Sequence, residues 1–184
     1  MAKRHYQIQD SPIERFLFND TRTAWFWLLV RLYAGWAWLD AGWGKIGSDV
    51  WVGANAGKAL GGFVQGALTK TGGLHPDVQS WYAWFLSHAV APYAEVWSYV
   101  VAWGEVAVGL GLILGIFTGI AAFFGGFMNI NYLFAGTVST NPILGICALG
   151  LVLAWKVAGT IGGDRWILPM LGTPWRPGTV LKNI

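Results

Sequence analysis

Apolar residues run along this chain in four long blocks, roughly Thr23 to Trp43, Val96 to Phe117, Gly119 to Val138 and Pro142 to Ile161. Each is close to the ~20 residues a helix needs to cross a bilayer. The pattern predicts an all-α integral membrane protein, a four-transmembrane-helix bundle forming one domain over residues 1–184. The later connections are short, Phe117-Thr118-Gly119 and Ser139-Thr140-Asn141-Pro142, so neighbouring blocks should be antiparallel and closely packed. The first connection, about 46–95, is long and holds two apolar patches, Val50 to Leu68 and Ser80 to Val90. The second patch, with Trp81, Tyr82, Trp84 and Phe85, is too short to span and suits an interfacial position. A connection of this length without structure would be unusual. Short extracytoplasmic interfacial helices capping the bundle are expected there.

Composition points to the same solvent. The chain is 55% hydrophobic and 11% charged, against roughly 25% charged residues in soluble domains. No Lys or Arg occurs between Thr71 and Trp155. The net charge of +3 comes from basic residues gathered at the ends: Lys3, Arg4, Arg15 and Arg22 before the first block, Arg165, Arg176 and Lys182 after the last. They read as topology signals that keep the tails, 1–22 and 162–184, in the cytoplasm of a multi-pass plasma-membrane protein. No basic stripe with stacking aromatics is present, so nucleic acid is not an expected partner; the lipid bilayer is. The polar first 22 residues and Arg31 in the run that follows argue against a cleaved signal peptide. Several of the 13 tryptophans fall near block ends, as in an interfacial belt.

Candidate chemistry is sparse. Cys147 is the single cysteine, which excludes an intramolecular disulfide and a C-x-x-C redox centre. His75 and His88 lack a third strong ligand, so neither metal nor haem is expected. No phosphate-binding loop, dinucleotide fingerprint, H-E-x-x-H or nucleophile elbow occurs. What remains is charge at bilayer depth, which normally faces a bundle interior or a wet cavity. Arg31 and Glu105 lie in the middle of the first and second blocks, and are expected to share one pocket. Helical steps from Arg31 give Gly35, Trp38, Gly42 and Lys45; Gly125, Asn129, Tyr132 and Gly136 share a face in the third block. Asp40, Glu95, His88 and Asn131 add polarity near the same end. An outward-opening cavity accounts for this surplus better than an Arg31–Glu105 pair that only fixes helix register. Lys156 and Asp164 read as anchors at the inner boundary.

These residues resemble the DoxX/DoxD family of four-span membrane proteins. The likeness lies in Arg31-x-x-x-Gly35 with Gly42-x-x-Lys45, in Glu105-x-x-x-Gly109-x-x-Leu112-x-x-Gly115, and in Met128-Asn129-x-Asn131-Tyr132-x-x-Ala135-Gly136 leading to Ser139-Thr140-Asn141-Pro142. It covers about residues 23–162, and the long Trp-rich first connection departs from it. The resemblance implies a membrane component of an oxidoreductase system, DoxD-type relatives being a subunit of thiosulfate:quinone oxidoreductase. Quinone is then the expected cofactor, with Lys45, Trp38, Asn129, Asn131, Glu95 and His88 as binding candidates. Glu105, Arg31 and Asp40 are the catalytic candidates, Glu105 or Asp40 handling protons and Arg31 donating hydrogen bonds to the ring, and the electron carrier belongs to a partner subunit. Two other readings stay open: a non-catalytic auxiliary subunit of a larger membrane complex, and a carrier of a small anion or lipid.

Overall fold

The computed structural model describes residues 10–173, and every regular element among them is helical. Lys3, Arg4, His5, Arg176 and Lys182 lie outside these residues. The helices are α1 (Pro12–Asn19), α2 (Ala24–Ile46), α3 (Lys58–Leu68), α4 (Ser80–Phe85), α5 (Ala94–Leu114), α6 (Thr118–Phe134), α7 (Asn141–Leu153), α8 (Trp155–Ala158) and α9 (Asp164–Met170). The four predicted blocks coincide with α2, α5, α6 and α7 continued by α8.

Among the described residues, length and apolarity sufficient for a span are met by one helical run, Ser80–Leu114, 35 residues long. It joins α4 to α5 through a π-helical turn at Leu86–Val90 and a 3-10 turn at Ala91–Tyr93. The segment read as a separate interfacial patch is therefore the first part of that run. Pro92 stands in the first turn of the 3-10 segment, where its missing N–H costs least, so the run carries on past it. Helix α7 is apolar but only 13 residues long, about 20 Å at 1.5 Å per residue.

Local sequence explains the ends. Ser11 caps α1, its hydroxyl accepting from Glu14 N at 3.2 Å, with Pro12 in the first turn. Helix α5 stops at Gly115, whose φ of +65° favours glycine. Helix α6 starts without a capping side chain of its own. Its cap is supplied by Asp164, whose carboxylate accepts from Phe117 N at 2.6 Å and Thr118 N at 2.9 Å. Asp164 is thus a buried cap rather than a boundary anchor.

Glycines let α2 and α5 touch along their length. A Cβ on Gly109 would lie 2.6 Å from Leu39 N, and one on Gly42 would lie 2.7 Å from Val106 N. Trp27, Trp38, Leu112, Leu144 and Leu151 fill the space where α2, α5, α6 and α7 meet. A second core, including Leu60, Val64, Tyr82 and Leu86, ties α3 and the α4 region to Ala135 at the end of α6. The long connection is a folded cap seated on one end of the bundle.

Candidate functional site

Under the cap, Glu105 is 1% exposed and holds two short hydrogen bonds. Lys45 Nζ donates to its Oε2 at 2.6 Å, and Tyr132 Oη donates to its Oε1 at 2.6 Å. Three helices meet in this contact: Lys45 ends α2, Glu105 is at the centre of α5 and Tyr132 is near the end of α6. A carboxylate so buried keeps its charge only where donors replace water.

Aromatic rings surround the cluster. Lys45 Nζ stands 5.1 Å from the Trp51 ring centroid, a cation–π arrangement. Tyr132 stacks on Trp38, with centroids 6.3 Å apart and planes 25° apart, and meets the edge of Phe63 at 6.0 Å. These residues line a cavity of about 290 Å³, completed by polar groups of the α6–α7 turn, Thr137, Ser139, Thr140 and Asn141. The cavity offers a hydrogen-bond donor with further protons, a carboxylate and flat ring faces.

Arg31 is not part of this cavity. Gly42 packs against Glu105 and Val106, whereas the Arg31 guanidinium packs on Gly115, ten residues farther along α5, a separation of about 15 Å. The expectation of a shared Arg31–Glu105 pocket is therefore corrected. Counting depth along each helix separately missed how the antiparallel pair is registered, which the glycine contacts fix. Arg31 is 1% exposed and donates through Nη2 to Ile161 O at 2.7 Å; among the described residues its Nε and Nη1 have no hydrogen-bond partner. It bridges α2 to the α5–α6 turn and to the loop before α9.

Of the other predicted residues, Trp38 and Lys45 line the cavity. Asn129 is buried one bond away, its Nδ2 donating to Asn141 Oδ1 at 3.1 Å. Asn131 turns toward the cap, where its Oδ1 accepts from Tyr82 Oη at 3.0 Å. Asp40, Glu95 and His88 are exposed and outside the cavity. Asp40 sits opposite the buried stripe of α2, and His88 stacks on Trp84. Sequence reasoning put Tyr132 on one face with Asn129 without making either Tyr132 or Trp51 a site residue. The signal that could have found Tyr132 was its place one turn after Asn129 on a face otherwise made of glycines.

Among the described residues no cluster of metal-ligating side chains is present. A family model described as DoxX matches residues 26–137, more than half of the chain and including Lys45, Glu105 and Tyr132. No curated protein and no solved structure gave a match.

Proposed function

Because the chain belongs to the DoxX family, we propose that it is a quinone-linked component of a membrane oxidoreductase, with the Lys45–Glu105–Tyr132 cavity as its headgroup site. The observation that carries this reading is a buried carboxylate, held by an ammonium and a phenol, inside a pocket walled by aromatic rings. A quinone ring is flat and neutral, with two carbonyl oxygens as acceptors. Lys45 has protons to spare beyond its bond to Glu105, and Trp38 and Trp51 supply ring faces. Reduction of a quinone to a quinol takes two electrons and two protons. Glu105 and Tyr132 are placed to pass protons. The electrons come from a partner subunit, for which the chain's lone cysteine is no substitute.

In this reading α2, α5, α6 and the α7–α8 pair cross the plasma membrane, both termini are cytoplasmic and the cap is outside. Arg31 serves as a structural bridge at the opposite end, and Asp40, Glu95 and His88 take no part in the headgroup site. Two variants test the assignment. In bilayers, Lys45→Met and Glu105→Gln should each lower quinone affinity at least about tenfold, a change of about 1.4 kcal/mol, in protein that still inserts and folds. Arg31→Leu should leave that affinity unchanged. Unaltered binding in folded Lys45→Met and Glu105→Gln would overturn the headgroup assignment.

A further inference from the structure

A second, larger hollow of about 600 Å³ lies between α5 and α6 beneath the cap. The two helices touch at their connected ends, where a Cβ on Gly111 would come 3.0 Å from Ala121 Cβ. Toward the cap α6 reaches α5 through a long side chain: a Cβ on Gly104 would touch Met128 Sδ at 3.4 Å and no backbone atom of α6 within 4 Å. The result is a cleft that widens toward α3 and the π turn. Its hydroxyl and amide groups are engaged elsewhere. Tyr132 donates to Glu105, Tyr82 donates to Asn131, and the Asn131 amide nitrogen donates to Phe127 O. The Trp97 indole N–H donates to Ala89 O, so apart from the second Asn131 amide proton the walls are apolar, and the cleft suits hydrocarbon.

The cleft adjoins the headgroup cavity, and the two share walls. Leu60, Phe63 and Tyr132 line both, Tyr132 presenting its hydroxyl to Glu105 while its ring stands between the two spaces. One molecule with a compact polar ring and a long apolar chain fits this layout, ring beside Lys45 and chain along the face of α5 that holds Gly104 and Ala107. We infer that the α5–α6 cleft is the binding groove for the hydrocarbon chain of the ligand whose headgroup occupies the Lys45–Glu105 pocket, and that Gly104 keeps it open. The inference rests on the proposed function for the identity of the ring, not for the presence of a chain.

The test uses the full-length protein in lipid nanodiscs with two benzoquinones that differ only in carrying a methyl or a decyl chain. With affinities referred to the ligand concentration in water, wild type should bind the decyl compound at least about tenfold more tightly than the methyl one, since only a few methylenes removed from water are needed for that gain. Gly104→Leu, or Ala107→Leu on the same face should the first variant fail to fold, should erase the advantage and leave methyl-compound binding intact. A chain-length advantage unchanged in both folded variants overturns the inference, because partition into the bilayer alone would then explain it. If neither quinone binds wild type, the quinone reading fails by itself, and mass spectrometry of amphiphiles retained on purification decides the groove. A tailed molecule kept by wild type and lost from Gly104→Leu supports it. Equal retention by both, or by neither, overturns it.

Discussion

Glu105 is an acid in an apolar helix, and its two partners decide what its replacement does. Removing Lys45 alone leaves a carboxylate that is 1% exposed with one neutral donor, whereas removing both charges leaves a pocket that polar side chains can still fill. Breaking one side of a buried ion pair is worth roughly 3–5 kcal/mol, and the 19% exposure of the Lys45 side chain puts Lys45→Met toward the lower end. Denaturant unfolding should therefore show a smaller loss for Lys45→Met combined with Glu105→Gln than the sum of the single losses. Strictly additive losses would mean that the two groups are not coupled. Arg31 differs: its guanidinium is held by one carbonyl and by close packing on glycine, so its replacement is a stability change rather than a change of site chemistry.

The elements are spaced by glycines whose neighbours differ sharply. Gly42 and Gly44 are two positions apart on α2. A Cβ at Gly42 would strike the α5 backbone, and one at Gly44 would meet nothing within 4 Å. Gly42→Ala should push the pair apart and lower the thermal midpoint, while Gly44→Ala should be neutral or raise stability by about 0.5–1 kcal/mol through reduced backbone freedom. Equal effects would contradict this helix contact. Gly115 combines a φ of +65° with the Arg31 guanidinium directly over it. Gly115→Ala should therefore be more damaging than Gly42→Ala, and adding Arg31→Ala should recover part of the loss.

At the scale of the molecule, the proposed topology puts the cap and the start of α1 on opposite sides of the membrane. Cys147 is the only native cysteine, so a Cys147→Ala background takes single reporters cleanly. Ser11→Cys and Leu74→Cys, both at exposed positions, should react with an impermeant maleimide from opposite faces of a sealed vesicle. Reaction of both from one side would remove the four-span topology.

The sequence by itself determined the helical class and the positions of α2, α5, α6 and α7, because long apolar runs and Gly-Pro punctuation act within a segment. It also determined that Arg31, Lys45, Glu105 and Asn129 would turn inward, because charge and amide groups in apolar helices need partners. It could not tell which partners. Pairing depends on the register of α2 against α5, set by glycine contacts separated by about 70 residues in the chain, and this register takes Arg31 to Gly115 and brings Lys45 to Glu105. Trp51 and Phe63 became walls of the site only when the long connection folded over the bundle end. Asp164 became the cap of α6 across 46 residues. The tertiary structure alone decided these contacts, since each depends on where two distant segments meet rather than on what either segment contains.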